Sequence, residues 1–402
     1  MTAFNLHIMP MNRRTGVPVD APTGRAWLRH HRRMKPSRSA SPVLLYLLHC
    51  GNLYGTERMA LATLEQLPDY RCVVFAPPPA GPASVANAAQ QAGYESVVFS
   101  SRWGLVRALI PWFLKYRSID VIGTGVVHTA VCYALAKLFR VKLRQLHVAH
   151  GGTPSSFNQK RALNRFPVTV VAVSQFVKNQ LVQLGLREDR VAVIGNFLSD
   201  QQRAAGVPRP RFDRPSPGGR LLDPTRVKVA VVSRIDPMKR VDLLIQAIEF
   251  CGLRDFQFDI YGVGTAIDDL KQRAARFDNI RFHGYVPDVN RRLEKADVLL
   301  HLCPDEPFGL AILEGFLAKL VVIVPDAGGS SDLVHDGITG LRYAANDETD
   351  LVRVLHRMRG FPPAALQTLA EAGNATLDGV FSPAVGAQRY REELLKAGMA
   401  RG

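Results

Sequence analysis

The stretch Asp305–Glu314, with the sequence DEPFGLAILE, predicts a tight turn that leads directly into a helix. The apolar run Val298–Leu302 precedes it and is typical of a buried strand. After the turn, apolar side chains recur at a spacing that suits a helix, at Leu310, Ile312, Leu313, Phe316 and Leu317. A buried strand that turns straight into a helix is the repeating unit of a parallel α/β sheet.

Two glutamates flank this helix start: Glu306 lies in the loop before it and Glu314 in its second turn. A helix start offers free backbone N–H groups and a positive dipole end, which suit a phosphate. One carboxylate can then accept hydrogen bonds from sugar hydroxyls at the mouth of the site, and the other from a ribose deeper in. We interpret the segment as a site for a nucleotide sugar.

Short apolar runs alternate with amphipathic stretches from residue 43 onward, which predicts parallel strands with crossover helices. A segment rich in Pro, Gly and Arg at 201–226 interrupts this rhythm and is expected to link two domains. We expect one Rossmann-like domain at 43–200, a second at 227–380 and a final helix within 381–402. Two doubly wound domains of this kind face each other across a cleft that binds ligands.

The formal charge of +16 suits an anionic partner, for which a membrane surface, nucleic acid and phosphorylated substrates are the alternatives. Residues 1–42 hold eight Lys and Arg side chains against one acidic residue, Asp20. We expect this basic extension to be disordered; an early start codon and a transit peptide are the alternatives. No apolar run reaches the ~20 residues of a membrane helix, and no secretory signal is recognised.

Cysteine and metal-ligand patterns also constrain the prediction. The five cysteines form no Cys-x-x-Cys pair and are interpreted as reduced, mostly core residues of a cytoplasmic protein. No cluster of His, Cys, Asp and Glu shows ligand spacing and no Asp-x-Asp occurs, so no metal site is predicted.

Peripheral contact with the inner face of the plasma membrane is a further expectation.

The turn Ser233–Arg240 follows an apolar strand and precedes a helix that begins near Val241. Arg234 and Lys239 therefore bracket a strand-to-helix turn at the cleft. A forked guanidinium and a compact ammonium can together hold a diphosphate and stabilise its charge as it leaves. Basic residues in a turn are otherwise ordinary solvated side chains, and the downstream pair of glutamates favours the functional interpretation.

Two further turns offer backbone groups to a ligand. Gly55 and Thr56 open a helix after the first strand, so their N–H groups can face a phosphate or an acceptor. Tyr285 and Val286 follow a glycine turn and can pair with the edge of a nucleobase. Glycines after a strand are also common without any function.

Histidines and glycines at other strand ends leave alternatives open. His150 and His128 both follow apolar runs where the cleft is expected, and we prefer His150 as the functional one. His283 is interpreted as a packed core histidine. The turn Tyr261–Thr265 looks like a dinucleotide fingerprint, but Ile267 stands where its third glycine should be, which argues against a dehydrogenase.

The segment Arg102–Arg117 mixes aromatic and basic side chains, as a helix lying on an anionic membrane does. An ordinary crossover helix with its apolar face on the sheet is the alternative. We favour the second interpretation, because the apolar spacing fits burial and Pro111 is expected to interrupt the helix.

Together these motifs resemble the retaining glycosyltransferases of the GT-B fold, family four. The resemblance covers nearly the whole chain from residue 43 and is strongest from Val229 to Gly340. It implies that Arg234 and Lys239 bind the donor diphosphate. It further implies that Glu306 and His150 contact the donor sugar and that Glu314 binds the ribose. The sugar and phosphates would also be contacted by backbone groups of Phe308, Gly309 and Leu310.

The chain departs from the family pattern at Gly315, at Lys319-Leu320-Val321, at Asp332 and at Asn196–Ser199. The resemblance nevertheless implies a metal-independent, hexosyltransferase-type enzyme without a cofactor, whose donor is a UDP- or GDP-sugar. Its acceptor would be a saccharide or a lipid-linked saccharide in cell-surface polysaccharide synthesis. A GT-B-fold sugar-nucleotide epimerase or phosphorylase is one alternative, and a nucleic-acid-binding protein, for which no reader motif is present, is another.

Overall fold

The computed structural model describes residues 41–81, 83–151, 159–205 and 226–399. Nearly all of the basic extension expected at 1–42 and most of the linker expected at 201–226 lie outside these ranges. The described residues form two parallel β-sheets with helices packed on them. This confirms the predicted α/β fold class.

The first sheet has seven parallel strands in the order β3-β2-β1-β4-β5-β6-β7. Its strands are β1 (Val43–Leu47), β2 (Arg71–Ala76), β3 (Glu95–Val98), β4 (Ser118–Gly123), β5 (Lys142–Ala149), β6 (Thr169–Ala172) and β7 (Val191–Val193). The helices of this half are α1 (Gly55–Glu65), α2 (Val85–Gln91), α3 (Arg102–Lys115), α4 (Val126–Phe139), α5 (Gln175–Gln183) and α6 (Asp200–Ala205). Strands β1, β2 and β4 are almost wholly buried, as expected for a sheet covered by helices on both faces.

The second sheet has six parallel strands in the order β10-β9-β8-β11-β12-β13. Its strands are β8 (Val227–Val232), β9 (Phe256–Tyr261), β10 (Ile280–Gly284), β11 (Val298–Leu300), β12 (Val321–Pro325) and β13 (Leu341–Tyr343). The helices are α7 (Val241–Cys251), α8 (Ile267–Ala274), α9 (Val289–Leu293), α10 (Leu310–Leu317), α11 (Gly328–Leu333), α12 (Glu348–Arg359) and α13 (Pro363–Ala375). The order reverses between β8 and β11, so the ligand-binding crevice of such a sheet lies at the carboxyl ends of these two strands.

The last helix, α14 (Pro383–Met399), returns to the first sheet. Its Tyr390 and Leu394 are fully buried in the same apolar cluster as Tyr46 of β1. Arg391 of this helix forms an ion pair with Asp69 at 3.2 Å. The carboxyl end of the chain therefore stabilises the first domain, although the helices before it belong to the second.

Helix α3 corrects one expectation from the sequence. Pro111 was expected to interrupt this helix, but the helix runs through it to Lys115. Its Leu105, Leu109 and Phe113 are buried against the sheet, which is the crossover arrangement that the spacing favoured. Because proline removes only one backbone donor, packing on the sheet can hold the helix together around it.

Four helices were not expected from the sequence: α6, α9, α11 and α13. Three of them have five or six residues, and α6 extends through the first residues of the expected linker. Helices this short rarely show a clear periodicity. Cys50 is half-buried and is therefore not the core residue that its apolar run predicted; Cys72, Cys132 and Cys303 are buried as expected, Cys251 is exposed, and all five are free. No helix within the described ranges has the length and apolar character needed to cross a membrane.

Candidate functional site

The centre of the site is an ion pair between two loops at the carboxyl ends of β8 and β11. Lys239 ends a short 3₁₀ helix after β8, and Glu306 lies in the loop between β11 and α10. The Lys239 Nζ donates to Glu306 Oε2 at 2.7 Å. Their side chains are only 14% and 16% exposed, respectively. The structure thus brings together two residues that the sequence placed 67 positions apart.

The Glu306 carboxylate is ionised at neutral pH. Burial alone would raise its pKa, but His301, Lys239 and Arg234 together bring the pKa of Glu306 below its ordinary value. A buried carboxylate can stay charged only when cations or donors surround it. The protein's own side chains therefore stabilise the negative charge of Glu306.

Arg234 occupies a different environment from Lys239, although both lie on the same turn. Its side chain is 62% exposed and its Nη1 lies 2.9 Å from Asp236 Oδ2 within the turn. Asp236 also accepts a hydrogen bond from the Thr265 N–H at 3.1 Å. Arg234 therefore lies at the mouth of the site and Lys239 in its interior.

Glycines allow neighbouring turns to approach this centre. A Cβ at Gly262 would overlap the carbonyl of Ser233, and one at Gly264 would come within 2.7 Å of Ile235 backbone atoms. The glycines after β9 thus allow this turn to pack closely against the Arg234 turn. This agrees with the incomplete dinucleotide fingerprint, which argued against a dehydrogenase.

The loop that carries Glu306 is held against α11 by two more glycines. The Gly329 N–H donates to the Glu306 carbonyl at 2.6 Å. A Cβ at Gly328 would overlap the Pro304 carbonyl, and one at Gly329 would overlap the Pro307 carbonyl. The glycines after β12 are therefore needed for close backbone contact at the start of a helix, rather than for a plain turn.

Helix α10 begins after Gly309, which has φ of 95°. Only glycine adopts this left-handed conformation at little cost, and the first N–H groups of the helix that follows have no partner within the helix. Glu314 lies in the second turn of this helix, as expected, with a buried side chain. Burial raises the pKa of Glu314 to about 7, although Arg58 of α1 partly opposes the effect.

The first domain contacts the Glu306 loop directly. The Ser174 hydroxyl, which caps α5, donates to the Pro307 carbonyl at 2.6 Å. The Phe176 N–H of the same helix donates to Asp332 Oδ2 at 2.9 Å. A Cβ at Gly151 would overlap the Pro307 side chain. The two domains are therefore in contact next to Glu306.

The start of α1 faces the start of α10. Gly55 is the first residue of α1 and Thr56 the second. A Cβ at Gly55 would lie 3.5 Å from Leu310 Cδ1. Two helix starts, one from each domain, thus meet across the cleft, and both can offer backbone donors.

His150 follows β5 and precedes Gly151, so it lies where the first domain meets the Glu306 loop. Burial, His49 and Lys160 lower the pKa of His150 to about 3. Its Nε2 is buried and has no hydrogen-bond partner among the described residues. His150 is therefore a neutral imidazole with one buried ring nitrogen that has no partner among the described residues.

His128, the alternative, is buried on α4 with its ring edge-on to Phe99, at 5.9 Å between centroids. Burial lowers the pKa of His128 to about 4. Its Nδ1 also lacks a partner within the described ranges. The two histidines are thus chemically alike, but His150 is the one that adjoins the Glu306 loop.

The remaining predicted contacts lie at the edges of the site. Tyr285 follows β10 and is 63% exposed, whereas Val286 packs partly against the core. The Phe308 side chain is buried edge-on against Phe381, at 5.8 Å, so it can offer a ligand only its backbone. His283 is not the core histidine that was expected: its ring is partly exposed, bonds Asp259 Oδ1 at 2.6 Å and stacks on Tyr261.

The sequence analysis missed three residues at this centre, His301, Ser174 and Asp332. His301 falls inside the apolar run that predicted a strand, and a histidine at the end of a strand was a usable signal, as it was for His150. Ser174 gave no signal and Asp332 stood out only as a departure from the family pattern, because the partner of each lies across the domain boundary. In the part of the chain that the structure describes, no three His, Cys, Asp or Glu side chains form a group that could hold a metal.

Two protein-family models match the chain. The model described as "Glycosyl transferases group 1" matches residues 226–359, and "Glycosyltransferase Family 4" matches residues 54–202. The first covers the sheet with Lys239 and Glu306, and the second covers most of the other sheet. Together they take in most of the chain.

Solved structures with the same layout include the Anabaena protein HepE in complex with UDP, with a TM-score of 0.74 and 21% identity over 88% of this chain and 99% of that one. A glycosyltransferase from Rickettsia africae has a TM-score of 0.74 and 19% identity over 89% of this chain and 99% of that one. The fold is thus that of the two-domain GT-B glycosyltransferases. The two models together place the chain among the group 1 and family 4 glycosyltransferases, which confirms the family drawn from its motifs.

The matches to curated relatives cover less of each chain than the matches to these structures do. A D-inositol 3-phosphate glycosyltransferase from Geodermatophilus obscurus is 27% identical over 79% of this chain and 69% of its own length. An uncharacterized 41.2 kDa protein in the cps region of Klebsiella pneumoniae is 22% identical over 49% of this chain and 53% of its own length. The matched part of the chain thus spans between about half and two thirds of these relatives.

Proposed function

We propose that this chain transfers a sugar from a nucleotide-sugar donor to a hydroxyl group of a saccharide or lipid-linked saccharide. The observation that carries the proposal is the buried Lys239–Glu306 pair at the carboxyl ends of two neighbouring parallel strands. A cation there suits the donor diphosphate, and the carboxylate beside it suits the hydroxyls of the donor sugar. The name of the Geodermatophilus obscurus relative, which describes sugar transfer, favours this function over an epimerase or phosphorylase.

Arg234, Lys239 and the start of α10 would hold the diphosphate. Electrostatic groups aimed at charge that develops in the transition state contribute about 3–4 kcal/mol each. Glu314 would accept hydrogen bonds from the ribose hydroxyls. Backbone groups of Tyr285 and Val286 would meet the nucleobase.

The proposed reaction retains the configuration of the donor sugar. The acceptor oxygen bonds to the anomeric carbon on the face from which the diphosphate departs, and the bond from that carbon to the phosphate oxygen breaks. The proton of the acceptor hydroxyl passes to the departing diphosphate. Glu306 and His150 would hold the sugar during this exchange, since both lie where the two domains meet.

We also propose that the reaction needs no metal, because Arg234 and Lys239 can supply the charge that a cation would otherwise provide. Transfer rates measured with and without EDTA test this directly. Equal rates are expected, and a loss of transfer that is restored by Mg²⁺ or Mn²⁺ would contradict metal independence. The configuration of the product, read from the anomeric coupling in its NMR spectrum, tests retention.

The first domain, which we propose binds the acceptor, carries a feature that suits an anionic membrane. Helix α3 presents Trp103, which is 78% exposed, beside Arg102 at its start. In contrast, Trp112 stacks on Tyr116 and lies under Arg71, so it serves packing. We propose peripheral membrane contact through α3, on the cytoplasmic side. Flotation with anionic and with neutral liposomes tests it, and Trp103→Ala should weaken co-flotation with the anionic ones.

Titration calorimetry with UDP, GDP and ADP is the decisive experiment. Binding of one nucleotide by the wild type, and its loss in the Arg234→Ala/Lys239→Ala double variant, is the expected result. It would also name the donor base. A wild-type protein that binds none of the three would contradict the proposed donor site.

A further inference from the structure

His301 connects β11 to the Glu306 loop. Its N–H donates to the Ile323 carbonyl of β12 at 2.8 Å, and its own carbonyl accepts from the Tyr343 hydroxyl at 3.4 Å. The backbone of His301 is therefore anchored to the neighbouring strand β12 and to the Tyr343 side chain of β13. Its side chain is only 5% exposed, so the ring has little room to turn away.

The ring of His301 points at Glu306. The His301 Nε2 lies 3.5 Å from Glu306 Oε2, the same oxygen that accepts from Lys239. This separation is slightly beyond a hydrogen bond, and Nε2 has no other hydrogen-bond partner among the described residues. A buried polar atom without a partner is costly, so a small shift of Glu306 toward His301 would be favourable.

Burial is the main reason that the His301 ring stays neutral while Lys239 pairs with Glu306. Burial lowers the pKa of His301, Glu306 opposes this, and Lys239 lowers the pKa further. Arg234 also acts on Glu306. The nearby Cys303 thiol stays protonated, because burial raises its pKa to about 11. The protonation of His301 thus depends in part on whether the Lys239 ammonium is paired with Glu306 or with another anion.

A diphosphate bound at Lys239 would change this balance. It adds negative charge beside the ammonium, which must then be shared between the phosphate oxygens and Glu306. Both changes favour a proton on the imidazole. The protonated ring could donate from Nε2 to Glu306 Oε2 and replace the hydrogen bond that Lys239 gives up.

We infer that His301 is a positioning residue that holds Glu306 in place when the donor diphosphate draws Lys239 away. The inference rests on the proposed donor site. Donor binding then takes up a proton from the solvent at His301 Nε2, and no covalent bond changes. His301 acts on the sugar only through Glu306.

The first test measures proton uptake. The wild type and His301→Gln are titrated at pH 7 by calorimetry with the nucleotide that binds, in phosphate and in Tris, whose ionisation enthalpies differ. The wild type is expected to take up a larger fraction of a proton than the variant, while the affinities agree within about threefold. His147→Gln is the matched control, since His147 is also a fully buried histidine but bonds Thr129 in the first domain.

The second test separates turnover from binding. His301→Gln is expected to lower kcat about tenfold with little change in KM for the donor, and His301→Leu to lower kcat further, because glutamine can still donate to Glu306. Thermal melts establish whether each variant is folded. If His301→Gln or His301→Leu does not fold, the same measurements are made on His301→Asn. Equal proton uptake and equal kcat in wild type and His301→Gln would overturn the inference, whereas a wild type that binds no nucleotide contradicts the donor site itself.

Discussion

The two sides of the cleft use different electrostatics. On the side of the second sheet, Lys239 and Glu306 form a buried ion pair, and the pKa of Glu306 lies below its ordinary value. On the side of the first sheet, His150 and His128 are held neutral by burial. The charged side suits a diphosphate, whose charge grows as it leaves, and the neutral side suits hydroxyl groups. We therefore expect the loss of one charged side chain to lower the rate of sugar transfer more than the loss of one neutral histidine.

The largest effect is expected at the charged side. Lys239→Ala should lower the rate of sugar transfer by roughly a hundredfold or more, because it removes an interior cation aimed at the leaving group. Arg234→Ala should cost less, about tenfold, since this side chain is mostly exposed and its charge is screened by water. Initial rates at saturating donor measure both. Lys271→Ala, an exposed lysine of α8, is the control, and near-normal turnover of Lys239→Ala would refute the assignment.

The contact between the two sides is expected to come next. Gly151 has φ of 93°, and a Cβ there would overlap the Pro307 side chain. Gly151→Ala should therefore force the first domain away from the Glu306 loop and lower transfer at least about tenfold. Gly337→Ala is a matched control, because Gly337 has φ of 71° but no atom within 4 Å of the added Cβ. If both variants lose the same activity, backbone strain rather than the domain contact is responsible.

A smaller effect is expected on the neutral side. His150→Ala should lower transfer by about fivefold to tenfold, which corresponds to one hydrogen bond between uncharged groups. Because burial brings the pKa of His150 to about 3, its protonation should not shape the pH–rate profile above pH 5. The profile of His150→Gln is therefore expected to run parallel to that of the wild type between pH 5 and 8. A change of slope in this range would show that the imidazole titrates.

The smallest effect concerns stability. The raised pKa of Glu314, about 7, means that the fold favours its protonated form. Ionisation of this buried carboxyl therefore lowers the free energy of unfolding. The loss is absent below the pKa of about 4.5 that Glu314 has in the unfolded chain, grows as the pH rises, and is complete above pH 7. Glu314→Gln should thus raise Tm by about 2 °C or more at pH 8 and little at pH 5. Differential scanning calorimetry at both pH values measures it, with the exposed Glu371→Gln as control; an equal shift at both would contradict the buried charge.

Much of the fold could be predicted from the sequence, because its elements are encoded locally. Strands such as β1 and β11 are apolar runs, and the helices that pack on them show a regular apolar spacing. The same local signals located the Lys239 turn and the Glu306 loop. The prediction failed where local patterns are weak or overridden, as in the short helix α9 and at Pro111, which the packing of α3 tolerates.

The sequence by itself determined the fold class, the family and the two turns that carry the charged residues, because strand and helix periodicity and motif spacing are properties of neighbouring residues. Only the tertiary structure decided which groups meet. It joined Lys239 to Glu306, placed His301 against the same carboxylate, and set Ser174 of one domain on the Pro307 carbonyl of the other. Charge state depends on burial and on such neighbours, which come from distant parts of the chain, so no local pattern could supply it.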